Sequence, residues 1–105
     1  MSSYKQAQEA ILGAILVDSK NVMPLVADKL TAENFINPEC ERVFAACLSL
    51  FQEQKHIDVI TVLDRLGDDT YQPYLVQLVE SLPSVRGLGE YIRIVSEESR
   101  RANAV

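Results

Sequence analysis

Residues 38–54 read PECERVFAACLSLFQEQ. Apolar side chains fall at Cys40, Val43, Phe44, Cys47, Leu48 and Phe51. This is the i, i+3, i+4, i+7, i+8, i+11 spacing that lays one stripe along a 3.6-residue helix. Asn37 precedes it as a candidate N-cap, whose side-chain oxygen can accept a first-turn N–H. Pro38 follows at the first helical position, where a missing N–H costs nothing. Glu39 and Glu41 place negative charge at the positive end of the helix dipole. At about 1.5 Å per residue the segment makes a rod of roughly 25 Å, enough to span a small domain. The stretch therefore predicts an all-α fold: a compact bundle of about six short helices around a central helix over 38–54.

Upstream, residues 3–17 form the first predicted helix, with Ser3 and Gln6 at capping-box spacing. Ala7, Ile11 and Ile15, with Ala10, Ala14 and Val17, make a broad apolar face that Leu12 and Leu16 widen. A helix apolar on most sides is wedged among others. Gly13 costs about 1 kcal/mol of helix propensity, and close approach by another helix is the simplest reason to keep it. A second helix is expected over 22–30, capped by Asn21, with Pro24 in its first turn and Val22, Leu25, Val26, Lys29 and Leu30 as its stripe. Thr31 to Asn34 reads as a short helical turn that carries Phe35 and Ile36 inward.

Downstream, Asp58 caps a helix over 59–66, Ile57 and Val62 have hydrophobic-staple spacing, and Gly67 is the stop. Thr70 is the expected cap of a helix over about 71–81, with Pro73 in the first turn and Tyr74, Leu75, Leu78, Val79 and Leu82 inside. Pro83-Ser84 breaks it. The last helix covers about 88–102, with Leu88, Tyr91, Ile92 and Val95 facing in. After Val95 the pattern turns polar, so residues 1–95 read as a globular head and 96–105 as a helix end leaving it. The expected core is Ile11, Leu12, Gly13, Phe35, Val43, Phe44, Cys47, Phe51, Val62, Leu78 and Tyr91.

The chain has 105 residues, the length of one domain, and a net charge of −5. A surface that grips phosphates is usually basic, so direct nucleic-acid binding is not the expected role. The helices also lack the basic recognition helix of a helix-turn-helix. Arg93, Arg100 and Arg101 gather late, as favourable charges for a helix C-terminus. Cys40 and Cys47 lie about 10 Å apart along one helix, beyond disulfide reach. They read as reduced core thiols, which with no signal peptide points to the cytoplasm. No apolar run reaches membrane-span length.

No constellation for chemistry emerges. Gly87-Leu88-Gly89 lacks the strand and third glycine of a phosphate loop. His56 reads as a solvated loop histidine and Asp68-Asp69 as a polar turn. An enzyme would have to draw on His56, Asp58 and Cys47, which share no implied pocket. Glu97 and Glu98 with Arg100 and Arg101 have the spacing of exposed helix pairs. No catalytic, cofactor-binding or metal-ligating residue is assigned, and the chain reads as an interaction module.

The order of segments resembles a known family. QAQEAILGAILVD, through Glu9, Ile11, Leu12, Gly13, Leu16 and Asp18, is similar to the opening of the N-terminal domain of DnaB-family replicative helicases, typically E-x-x-V-L-G-x-x-L-x-D. LTAENFINPECERVFAACLSL resembles the family's L-T-x-x-D-F-x-x-x-x-H-x-x-I-F-x-A-x-x-x-L through Leu30, Thr31, Phe35, Phe44, Ala46 and Leu50. Ile57, Asp58, Thr61, Val62 and Leu66 are similar to its P-I-D-x-V-T-V-x-x-x-L, Tyr74-Leu75, Leu78 and Pro83-Ser84 to its Y-L-x-x-L-x-x-x-x-P-S, and Tyr91, Ile94 and Val95 to its Y-A-x-I-V. The resemblance runs from about residue 6 to 101. It departs at Cys40 and Glu41, where the family has a histidine, at Gly87-Leu88, where it has Asn-Ile, and at Pro24.

The resemblance implies the N-terminal collar of a hexameric, ATP-driven DNA helicase, serving subunit assembly and primase docking. Its implied partners are other helicase subunits, primase and a helicase loader. ATP and Mg are implied for a motor domain outside this sequence, which also makes the main DNA contacts. A helical hairpin follows the family's head, and the polar tail fits its start. Glu97, Arg100 and Arg101 are the expected partner-binding residues. A free-standing helical adaptor or inhibitor that binds helicase or primase is the alternative reading.

Overall fold

Nine of the fifteen residues of the first helix are buried, as its all-round apolar pattern requires. In the computed structural model, which describes residues 3–82 and 85–102, this helix, α1 (Ser3–Val17), lies against four others. They are α2 (Ser19–Lys29), α3 (Pro38–Gln52), α5 (Gln72–Glu80) and α6 (Leu88–Ala102). The short α4 (Val59–Leu66) packs on α3 and α5. Three 3-10 turns, Ala32–Asn34, Asp69–Tyr71 and Val85–Gly87, complete the bundle, and no strand occurs among the described residues. The sequence puts 38–54 at the centre, yet α3 packs chiefly on two helices, α1 and α4, and ends at Gln52. One stripe can satisfy one side; α1, apolar on most sides, takes the middle.

The stripe of α3 is buried at Cys40, Val43, Phe44 and Cys47, and it closes on Leu50 rather than Phe51. Phe51 is only half-buried, at the rim where the helix ends. Phe35 stacks on Phe44 with ring centroids 4.5 Å apart and planes at 21°, a favourable offset arrangement. Ile11, Leu12, Val62 and Leu78 are buried as expected, while Tyr91 is partly exposed and lies over Gly87, where an added Cβ would meet its ring at 2.6 Å. Gly13 is where α5 crosses α1: a Cβ there would fall 2.5 Å from the Leu78 carbonyl oxygen. Only a missing side chain lets the two backbones approach this closely.

Local signals hold best at α4. Asp58 accepts from Thr61 N at 2.9 Å, Asp58 N donates to Thr61 Oγ1 at 2.9 Å, and Gly67 adopts the left-handed conformation at φ 67°. They fail at α2. The helix starts at Ser19, not after Asn21; Asp18 precedes it, and Asn21 Nδ2 donates to the Asp18 carboxylate at 3.1 Å. Pro24 therefore sits inside the helix. Its exposed face lets water reach the carbonyl that loses a partner. The buried stripe is Val22, Met23, Val26 and Leu30, with Met23 in the place expected of Leu25, which is 57% exposed.

Asp68, not Thr70, supplies the turn before α5: its carboxylate accepts from Thr70 N at 3.0 Å. Asn37 stands at the N-cap position of α3 but makes no capping bond. Its Oδ1 accepts instead from Gln8 Nε2 at 2.9 Å, and its N–H reaches Gln8 Oε1 at 3.3 Å. Gln8, fully buried on α1, is thereby satisfied. The expected cap at Ser3 and the Pro83-Ser84 break lie at or outside the limits of the described residues.

Candidate partner-docking surface

Helix α6 carries the three residues the sequence offers for partner binding. Glu97, Arg100 and Arg101, at i, i+3 and i+4, share one face, and all three are exposed. They do not form a unit. Glu97 pairs with Arg93 at 3.0 Å, and Arg93 also holds Glu90 at 2.9 Å. Arg101 pairs with Glu98 at 3.2 Å. The Arg93 guanidinium holds the Glu90 carboxyl below its ordinary range. Exposed helix pairs are weak and screened by salt, so α6 presents mixed charge that rearranges at little energetic cost.

Two grooves flank this helix. One, of about 550 Å³, lies between α1, α5 and α6 and is lined by Ala7, Glu9, Ala10, Gln77, Tyr91 and Ile94 among others. The other, of about 440 Å³, runs between α2 and α6 past Leu25, Lys29, Leu88, Ile92 and Arg93. Leu25 lies on the surface, so a pattern that set it inside could not reveal this groove.

The packing of α6 continues past Val95. Ser99 is 2% exposed and accepts from Asn34 Nδ2 at 2.7 Å. The inner stripe thus runs Leu88, Tyr91–Ile92, Val95, Ser99 without a break in period, its last member polar. Packing against the head, expected to stop at residue 95, reaches Ser99. A serine at i+4 from a core valine was the available signal, hidden because a hydroxyl reads as surface.

The candidate reactive groups are committed to structure. Asp58 caps α4, which lowers its pKa through the Thr61 N–H bond, and the exposed His56 lies 3.0 Å from its Oδ2. Burial pushes the Cys40 thiol up to about 11 and the Cys47 thiol up to about 12, so both are buried free thiols rather than nucleophiles. Tyr74 donates to Glu9 at 2.8 Å and lies 3.2 Å from Cys40 Sγ, and its pKa is driven far above the ordinary value, chiefly by burial. With its one hydrogen given to Glu9, Tyr74 receives the Cys40 S–H. Among the described residues no group of three or more His, Cys, Asp and Glu side chains is placed to hold a metal, and no helix is long and apolar enough to cross a membrane.

A family model described as the DnaB-like helicase N terminal domain matches residues 2–97. The chain belongs to this family. The replicative DNA helicase DnaB of Rhodothermus marinus is 28% identical over 105 residues, covering 91% of this chain and 11% of that protein. That of Mycobacterium leprae is 31% identical over 99 residues, covering 89% of this chain and 16% of its own length. The crystal structure of the N-terminal domain of DnaB helicase from Mycobacterium tuberculosis superposes with a TM-score of 0.79 at 28% identity, over 89% of this chain and 71% of that one. The all-α DnaB-type head expected from the sequence is therefore the fold observed. The chain spans well under a quarter of the length of these two helicases.

Proposed function

We propose that this chain is the N-terminal collar domain of a hexameric replicative DNA helicase in the cytoplasm, a head that serves subunit assembly and primase docking. The observation that carries the reading is the family match across residues 2–97. The relatives that share it are named as replicative DNA helicases. ATP, Mg and DNA unwinding belong to a separate motor domain. No catalytic step is assigned to these residues. In this reading α6 leads from the head toward a helical hairpin, leaving after Ser99. Glu97, Arg100 and Arg101, with the two grooves, are offered to neighbouring subunits, primase or a helicase loader.

Two measurements test it. The native gene downstream of Val105 should encode a GxxxxGK[ST] phosphate loop within a few hundred residues; a stop codon with no such domain turns the reading into that of a free-standing adaptor. Titration of a labelled sample with primase from the same source should show saturable binding that the Glu97→Lys, Arg100→Glu, Arg101→Glu triple variant weakens. No binding by the assembled hexamer removes primase from the partners.

A further inference from the structure

Asn34 sits where three elements meet. Its backbone oxygen accepts from Tyr4 Oη on α1 at 2.6 Å, and its Oδ1 accepts from Thr31 N at 2.7 Å within the turn. Its Nδ2 donates to Ser99 Oγ on α6 at 2.7 Å, and that hydroxyl donates in turn to Ser96 O at 3.1 Å. Helix α6 is consequently held in two ways. Its inner half is fixed by buried Leu88 and Val95, with Tyr91, Ile92 and Ile94 packed partly against the core. Beyond Val95, Ser99 is the one buried side chain among the described residues of the helix. An apolar stripe resists separation in proportion to the area it hides from water. A hydroxyl resists only through a hydrogen bond that water can replace once the helix lifts. Two attachments on one continuous helix, one strong and one exchangeable, let its last turns fray while the inner half stays docked.

We propose that the Asn34–Ser99 pair is a clasp that holds the last turns of α6 against the head, and that these turns unwind and leave it when the pair opens. Asn34 is the positioning residue and acts through Ser99. From Val95 to Ala102 the helix is about 10 Å long, so any segment that follows loses its fixed direction when these turns unwind. Ser99 lies just beyond residue 97, where the family match ends. The clasp is a property of the head itself and stands whether or not the chain serves a helicase.

Distances between spin labels test it in the full chain. Labels go on cysteines replacing Lys20 and Arg101 for the outer half, and Lys20 and Glu90 for the inner half; all three sites are exposed, whereas Cys40 and Cys47 are buried. Both pairs should give narrow distance distributions in the otherwise unaltered protein. Ser99→Ala should widen the outer distribution about twofold and leave the inner one and the thermal midpoint unchanged, as expected of local rather than global opening. Asn34→Ala should widen the same pair; if that variant fails to fold, Ser99→Ala alone decides. An outer distribution equally narrow in Ser99→Ala, one already broad with Ser99 present, or widening of both pairs together overturns the clasp.

Discussion

The corner from Ile57 to Gly67 and the seam where α1 meets α3, α5 and α6 are held by different kinds of bond. In the corner the bonds that set the helix bounds span three or four residues, Asp58 with Thr61 and Gly67 N with Leu63 O, and the longest reach is from Arg65 on α4 back to α3. In the seam they span 29 residues from Gln8 to Asn37, 30 from Tyr4 to Asn34, and 65 from both Glu9 to Tyr74 and Asn34 to Ser99. A short loop costs little entropy to close, so the corner can form on its own chemistry. A long one needs the apolar core to hold its ends together first. The core thus supports the seam, and the seam in turn fixes how the helices are oriented.

The largest effect should come from the core beneath the seam. Phe44→Ala removes a fully buried ring stacked on Phe35, next in sequence to Asn34, and should cost about 3–5 kcal/mol in urea unfolding. Phe51→Ala, at the half-buried rim, should cost roughly half as much, since less area returns to water. Equal losses would return Phe51 to the buried stripe of α3 and remove the rim.

Gly13→Ala comes next. The Cβ would press on the Leu78 carbonyl, a backbone atom that cannot rotate away, so α1 and α5 must separate at a cost of about 1–3 kcal/mol. A gain in stability from the better helix former would show that the crossing is looser than it looks. Asp58→Ala should cost about 1 kcal/mol, the usual value of a lost N-cap. Native-state hydrogen exchange should speed up within 59–66 and not across the seam. Acceleration along α6 as well would erase the distinction between the two regions.

The smallest effect is electrostatic. Arg65 grips Glu53 across α3 and α4 at 2.6 and 2.8 Å and holds its carboxyl down to about 2; Asp58 is lowered too. A carboxyl whose folded pKa lies below its unfolded one contributes stability above the unfolded value and loses it as pH falls through the folded value. Stability should therefore decline from about pH 4.5 toward pH 2. Glu53→Gln should flatten the slope slightly, because the pair is open to water and screened by salt. An unchanged slope would mean that the pair is not formed in solution.

What could be read from the residues follows the same division. Asp58, Gly67 and the bounds of α4 were legible because their partners lie within one turn. Gly13 was legible because a glycine inside an apolar helix gives up propensity, and a crossing backbone is what compensates. Asn37 and Asn21 look like caps, yet one bonds Gln8 and the other turns back to Asp18. A side-chain amide can serve a local or a distant partner equally well, and only the packed core decides. The same holds for the docking surface: Leu25 and Ser99 trade the places that their polarity suggests.

Cys40 and Cys47 give the molecule one more property. Both sulfurs are shut away and protonated at neutral pH, and a thiol reagent attacks only the exposed thiolate. Their modification therefore waits until α3 is uncovered. The pace of that modification is a stopwatch for opening of the bundle, carried by the native chain without any added dye.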